Sequence, residues 1–251
     1  MRQKLIVANW KMYQTVAEGL SFLTALLYEL KAIGNREVVL CPPFTSLYSL
    51  GVALSETEIK LGAQNLHWEN SGAFTGEVSA ELLKDVDCSY VIVGHSERRQ
   101  LFAETNEQIQ KKLQAATRAQ LIPIFCVGET LAEREKNKTW NVIEQQLQEG
   151  LSGLSFSEAR ELVIAYEPVW AIGTGKNATP EQAQEVHAQI REWLQKRFGS
   201  PFAQDLRILY GGSVKAENAA ELFAKKDIDG GLVGGASLDA KKFAEIIRSA
   251  H

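Results

Sequence analysis

One carboxylate in the chain is placed where acid–base chemistry could be shielded from water. Glu167 follows an apolar run, residues 162–165, that has the character of a buried strand. Pro168 ends that strand because a proline has no N–H to give to the ladder. The unusually apolar loop that follows contains Gly173 and Gly175, on which it could swing over the carboxylate. Such a flap would exclude water from a base. The alternative is a strand end whose aromatic side chain packs on a neighbour.

A histidine occupies a similar position after another apolar run. His95 follows residues 90–93 and precedes a predicted helix start, with Glu97 two positions further on. The partial positive charge of a helix N-terminus disfavours imidazolium and favours a neutral ring that donates a hydrogen bond. A purely structural histidine is the alternative. No second histidine lies at metal-ligand spacing and no HExxH motif or Cys/His cluster occurs, so we predict no metal site.

The first apolar run, residues 5–8, is followed by Asn9 and Lys11. If this run is a strand, the Lys11 ammonium can point to the same face as His95 and can contact Glu97. The alternative for Lys11 is a solvated surface position.

Two neighbouring arginines, Arg98 and Arg99, lie in the predicted helix after His95. Arginines in a first helical turn are commonly structural partners of acids. We therefore predict a structural role for both, with partners such as Glu104.

Glycine pairs follow the last two apolar runs and could hold an anion. Gly211-Gly212-Ser213 follows one run, and Gly234-Gly235 follows the next. Backbone N–H groups freed at such positions, beside a helix start, can bind a phosphate without an arginine. A single glycine pair is weak support because turns use it often. Two pairs on adjacent strands predict a phosphate site.

Apolar runs recur along the whole chain, and amphipathic segments separate them. The runs occupy residues 5–8, 38–41, 59–62, 90–93, 121–127, 162–165, 207–210 and 231–233. Eight strand–helix pairs give about 31 residues per pair, the size of the repeat in an eight-fold barrel. The runs are continuous rather than alternating, as in a parallel sheet covered on both faces.

We predict an α/β fold, a single-domain (β/α)8 barrel over residues 1–251. A doubly wound sheet is the alternative, but its usual GxGxxG fingerprint is missing after the first run. In a barrel the candidate residues would all meet at the end that carries the βα loops.

Composition narrows the classes of partner that the protein could bind and the compartment in which it would fold. The chain has 27 Lys and Arg against 31 Asp and Glu, a formal net charge of −4, which favours neither nucleic acid nor an anionic membrane surface. Its three cysteines are widely spaced, which is typical of a reducing compartment. Neither a signal-peptide core nor an apolar stretch of about 18 residues occurs. We predict a cytoplasmic protein without membrane contact.

These residues together resemble the triosephosphate isomerase family over nearly the whole chain. The similar segments are Asn9-Trp10-Lys11-Met12, residues 72–77, residues 94–99, residues 126–129, residues 165–176, Tyr210-Gly211-Gly212-Ser213 and Gly234-Gly235. The resemblance implies interconversion of dihydroxyacetone phosphate and glyceraldehyde 3-phosphate through an enediolate, without cofactor or metal.

The resemblance also implies roles for individual residues. Glu167 would be the base and His95 the neutral electrophile, while Lys11 and Asn9 would stabilise negative charge. Glu97 would support Lys11. Phosphate would rest on backbone N–H groups of Gly173, Ser213, Gly234 and Gly235. The chain departs from the usual family pattern at Tyr13, Asn177 and Asp87-Cys88.

A further implication concerns assembly. The segment from Asn65 to Ser79 is long for a barrel connection, and loops of that length are commonly functional. Family members dimerise by docking this loop, with Thr75 near its tip, into a partner. Trp68 and Phe74 would otherwise expose apolar surface, so we expect a homodimer.

Other functions remain open on residues alone. An aldolase or sugar-phosphate epimerase could share the glycine pairs, although an aldolase would need a Schiff-base lysine on a strand. A metal-dependent epimerase would need ligands that the sequence lacks. A binding protein that has lost catalysis would have no need for Glu167, His95 and Lys11 together.

Overall fold

Parallel strands close into a barrel in the computed structural model, which describes residues 2–155, 161–172 and 178–250. The strands of this part of the chain are β1 Lys4–Asn9, β2 Arg36–Cys41, β3 Lys60–Ala63, β4 Tyr90–Val93, β5 Ile122–Val127, β6 Val163–Tyr166, β7 Arg207–Tyr210 and β8 Gly230–Val233. Each strand pairs with its neighbours in chain order, and β1 pairs with β8. The predicted (β/α)8 barrel is confirmed.

Helices connect the strands and cover the outside of the barrel. They are α1 Val16–Leu30, α2 Leu47–Leu54, α3 Ala80–Asp85, α4 Ser96–Leu101, α5 Asn106–Arg118, α6 Leu131–Glu135, α7 Thr139–Gly150, α8 Pro180–Phe198, α9 Ser200–Asp205, α10 Ala216–Phe223 and α11 Ala240–Ser249. Short 3₁₀ turns occupy Phe44–Ser46, Val169–Ala171 and Gly235–Leu238. Among the helices of the described ranges, none combines the length and apolar character of a membrane span.

The continuous apolar runs are explained by two separate cores. Along β1, Leu5 and Val7 belong to the cluster inside the barrel. Ile6 and Ala8 belong to the larger cluster between the barrel and the helices. Because successive side chains of a strand point to opposite faces, both sets must be apolar when both faces are covered.

The seam between β1 and β8 depends on a glycine. Gly230 has φ of +140°, and a Cβ at this position would lie 1.9 Å from the carbonyl oxygen of Leu5. The amide of Leu5 in turn donates to the carbonyl of Asp229 at 2.9 Å. Only a residue without a Cβ permits this approach, so Gly230 is required where the barrel closes.

A buried histidine on α8 packs against Tyr166 of β6 and Tyr210 of β7. The ring of His187 is fully buried, with centroids 5.8 Å from Tyr166 and 6.4 Å from Tyr210. Its Nδ1 lies 3.1 Å from the carbonyl oxygen of Asp227 and donates to it, while Nε2 has no hydrogen-bond partner among the described residues. Burial lowers the pKa of His187 to about 4, so the ring is neutral near pH 7.

We expect His187 to make stability depend on pH. The pKa of His187 is 6.5 in the unfolded chain and about 4 in the folded protein. Between these values the unfolded chain binds a proton that the folded protein does not, so stability is lost as the pH falls through this window. The full loss is about 3 kcal/mol from this residue. Urea unfolding at about pH 7.5 and about pH 4.5, compared between the wild type and His187→Gln, measures it. The variant should lose less stability on acidification, and an equal loss in both proteins would contradict the assignment.

Candidate active site

A cavity of about 750 Å³ opens at the carboxyl ends of the strands. Its volume is in the range of small-molecule sites. The predicted residues that line it are Asn9, Lys11, His95, Glu167, Ser213, Gly234 and Gly235. Glu97 is not part of the lining but contacts two lining residues, Lys11 through its carboxylate and His95 through its backbone N–H and its carboxylate. Gly173 lies outside the described residues.

Glu167 and His95 are in direct contact at the base of the cavity. Oε1 of Glu167 lies 3.0 Å from Nε2 of His95, and Oε2 accepts the backbone N–H of Ser96 at 2.9 Å. The hydroxyl of Ser96 donates to Oε1 at 3.4 Å. The position of Glu167 follows from the end of β6, where its own N–H donates to the carbonyl of Val127 at 2.8 Å. A carboxylate that is 2% exposed is thus held at three points.

The contacts of His95 define its protonation state. As the N-cap of α4, its Nδ1 accepts the backbone N–H of Glu97 at 3.2 Å. Nδ1 therefore carries no proton, and heavy-atom contacts assign the proton to Nε2, which donates to Glu167. Burial lowers the pKa of His95, but the adjacent carboxylate raises it, and the net direction is upward. Because the backbone N–H of Glu97 donates to Nδ1, a second proton on that nitrogen is disfavoured, and we predict a neutral ring.

The ionisation of Glu167 is a balance of opposing effects. Burial raises the pKa of this carboxyl, while His95, the Ser96 amide and Lys11 lower it. The lowering contacts outweigh burial, and the pKa lies below the usual value for a glutamate. The site therefore holds an ionised carboxylate away from water.

Lys11 occupies a strained turn that the side chains of Asn9 and Gln64 support. Its φ is +52°, which is uncommon for a residue with a Cβ. The side-chain amide of Gln64 donates to the carbonyls of Lys11 at 2.8 Å and of Cys41 at 2.9 Å, and Asn9 Oδ1 accepts the Lys11 N–H at 3.1 Å. Nζ then reaches Glu97 Oε1 at 2.6 Å, as predicted. Sequence analysis missed Gln64 because its acceptors are backbone carbonyls.

Glu129 anchors the start of the apolar loop after β6. Its side chain is fully buried, and Oε1 accepts from Trp170 Nε1 at 2.9 Å, Tyr166 OH at 3.2 Å and Arg134 Nη1 at 3.0 Å. Its carbonyl accepts the N–H of Val169 at 3.1 Å. One residue thus binds both backbone and indole of the loop. No pattern in the sequence indicated these partners of Glu129.

The glycines near the cavity differ in what they provide. A Cβ on Gly211 would lie 2.8 Å from Cγ of Glu167, and one on Gly212 would lie 2.2 Å from Tyr210 OH. These two glycines make room for other side chains. A Cβ on Gly235 would meet nothing within 4 Å, so its backbone faces open space in the cavity wall.

Within the described ranges, no group of three or more His, Cys, Asp or Glu is arranged to hold a metal ion.

We expect the difference between Gly211 and Gly235 to appear in the thermal stability of their alanine variants. Gly211→Ala introduces a methyl group that displaces Glu167 or the β6 backbone, and overpacking of this kind typically destabilises by about 1–3 kcal/mol. For a domain of this size Tm should fall by roughly 5 °C. Gly235→Ala is the matched control and should stay within about 1 °C of the wild type. Calorimetric melting compares them, and a larger loss in Gly235→Ala would refute the packing role of Gly211.

Known proteins share both the sequence and the architecture. The family model of triosephosphate isomerase matches residues 4–250. Triosephosphate isomerase of Moorella thermoacetica is 56% identical over 247 residues, with 98% of both chains covered. That of Dictyoglomus turgidum is 54% identical over 249 residues, covering 99% of this chain and all of the relative.

A solved structure gives the same result. The crystal structure of triosephosphate isomerase from Bartonella henselae superposes with a TM-score of 0.88 at 40% identity, covering 98% of each chain. The chain therefore belongs to the triosephosphate isomerase family.

Proposed function

We propose that this chain interconverts dihydroxyacetone phosphate and D-glyceraldehyde 3-phosphate, in glycolysis and gluconeogenesis, without a cofactor or metal. The observation that carries the proposal is the buried carboxyl group of Glu167 in contact with Nε2 of His95 at the cavity base. Family membership supports the same reaction. The two substrates differ only in the position of a carbonyl and two hydrogens, so proton transfer alone is sufficient.

Each polar group has a role in that transfer. Glu167 takes the carbon-bound proton and returns it to the neighbouring carbon, as a general base and then a general acid. Nε2–H of His95 donates to the substrate oxygens, where negative charge develops in the enediolate. Nζ of Lys11 adds a positive charge at the same wall of the cavity, and Asn9 and Glu97 hold that lysine in place.

The phosphate group would bind the backbone beside Lys11, because a Cβ on Gly234 would lie 3.8 Å from Lys11 Nζ. Ser213 follows β7, and Gly234 and Gly235 begin the 3₁₀ turn after β8. Their N–H groups can bind an anion without depending on the net charge of the protein. Gly173 is proposed as a further contact. Binding energy from this remote group can orient the reacting carbons against Glu167.

Replacing the proposed base should lower turnover sharply without unfolding the protein. Glu167→Gln keeps the hydrogen-bonding shape but cannot accept the carbon-bound proton, so kcat should fall on the order of 10³-fold. Glu167→Asp withdraws the carboxylate by about 1 Å, and kcat should fall roughly 10²-fold.

Conversion of glyceraldehyde 3-phosphate, followed through coupled NADH oxidation with a chelator present, measures both variants. Glu185→Gln, an exposed change on α8, is the matched control and should leave turnover unchanged. Folded wild-type protein without activity would refute the proposed reaction, and near-normal turnover in Glu167→Asp would refute the assignment of the base.

We also propose that the chain forms a homodimer through the loop from Asn65 to Ser79. Within this loop His67 stacks on Trp68, with centroids 4.2 Å apart, and contacts Phe74 at 4.4 Å. Phe74 is nevertheless 43% exposed, and Met12, next to the site lysine, is 93% exposed. Apolar surface of this kind supports an interface.

The cytoplasmic location of the protein stays a prediction.

A charge placed on the loop tip should prevent this association. Thr75→Arg is expected to yield a particle of 27.8 kDa, the mass of one chain, whereas the wild type should show twice that mass. Light scattering after size exclusion measures the mass. Tyr28→Asp, at another exposed position, on α1, is the control and should remain dimeric. A monomeric wild type would disprove the dimer.

A further inference from the structure

Arg99 differs from the neighbouring arginine in its partners. Arg98 forms the predicted ion pair with Glu104, at 3.3 Å from Nε to Oε1. Arg99 was expected to pair with an acid as well, but that prediction is wrong within the described residues, where no carboxylate lies within ion-pair distance of its guanidinium. The guanidinium instead contacts backbone carbonyls and an amide.

The guanidinium of Arg99 joins three separate segments. Nε donates to the carbonyl of Gly94 at 2.8 Å, and Nη2 donates to the carbonyl of Cys126 at 3.1 Å. Nη1 donates to Oδ1 of Asn106 at 2.5 Å. The amide of Asn106 donates in turn to Glu149 Oε2 at 2.7 Å. The end of β4, the end of β5 and the start of α5 are thus tied by one side chain.

The segment that carries His95 is held by both the backbone and the side chain of Arg99. The carbonyl of His95 accepts the N–H of Arg99 at 3.1 Å, while the preceding carbonyl, of Gly94, accepts from the guanidinium. Gly94 has φ of +73°, and a Cβ there would lie 3.2 Å from Nη2. The guanidinium therefore packs against the turn from which the imidazole projects.

The other contact of Arg99 lies on the strand that positions Glu167. Cys126 is followed in β5 by Val127, whose carbonyl accepts the N–H of Glu167 at 2.8 Å. A shift of β5 relative to β4 would therefore move the carboxylate relative to the imidazole. Arg99 is the described side chain that hydrogen-bonds to the carboxyl ends of both strands.

We propose that Arg99 is a positioning residue, which sets the contact between His95 and Glu167 by tying the end of β4 to the end of β5. The inference rests on the proposed function, since it concerns the same base and electrophile. Arg99 touches neither side chain directly and lies outside the cavity lining.

Arg99 acts on the contact between His95 and Glu167 mainly through its geometry rather than through its charge. Burial lowers the pKa of Arg99, and the Glu167 charge is among the groups that oppose this shift. The leading causes that lower the pKa of Glu167 are its contacts with His95 and Ser96, followed by Lys11. A lysine at position 99 would keep the positive charge but lose the planar fork that reaches three acceptors at once.

The test compares Arg99→Lys and Arg99→Gln with Gln100→Ala, an exposed change on the same helix. We expect both arginine variants to lower kcat by about 10-fold or more, because small misplacements of catalytic groups have effects of this size. KM and the inhibition constant of inorganic phosphate should stay within about twofold, since β7 and β8 carry the phosphate site. Gln100→Ala should match the wild type in each quantity.

A second readout does not depend on activity. The Nε2–H proton of His95, hydrogen-bonded to Glu167, can be observed by NMR in ¹⁵N-histidine-labelled protein. We expect its resonance in the wild type and in Gln100→Ala, and its loss or displacement in Arg99→Lys. An inactive wild type would refute the proposed reaction, while the resonance would still test the position of the ring.

The results that overturn the proposal are equally defined. Wild-type kcat and an unmoved resonance in folded Arg99→Lys would show that Arg99 serves stability alone, as would a lowered Tm as the only change. If neither arginine variant folds, Asn106→Ala removes one arm of the same contact and should give the same pattern more weakly. Wild-type behaviour of that variant would then reject the proposal.

Discussion

The closure of the barrel between β1 and β8 is the constraint on which the rest of the structure depends. It requires Gly230, whose missing Cβ allows contact with the backbone of Leu5. Once the ring of parallel strands is closed, every strand ends at the same rim. Side chains as distant in sequence as Asn9 and Glu167 then line one cavity. The site is a consequence of strand direction as much as of residue type.

Within that rim, the useful state of Glu167 exists only because specific contacts outweigh burial. A carboxyl removed from water tends to bind a proton, which would leave a poor base. The imidazole of His95 and the Ser96 amide reverse that tendency. The start of α4 thus carries the proposed electrophile, His95, and an anchor for the proposed base. Arg99, one turn further along, ties this turn back to β5.

Side chains and backbone divide the work of the site. The ionisable groups follow β1, β4 and β6 and are supported by polar contacts such as those of Gln64 and Glu129. Glycines and backbone N–H groups follow β7 and β8 and line the same cavity. Gly234 adjoins the Lys11 side chain, so backbone N–H groups and one nearby ammonium could hold an anion in a chain with a net charge of −4.

The sequence by itself determined the strands, because continuous apolar runs are required of residues buried on both faces. All eight predicted runs agree with the observed strands to within two residues at each end. Glu167, His95 and Lys11 were identified because each follows such a run. The tertiary structure alone decided which groups hold them. Gln64, Arg99 and the amide of Ser96 act through backbone atoms or on residues far along the chain, and such partners leave no pattern in the sequence.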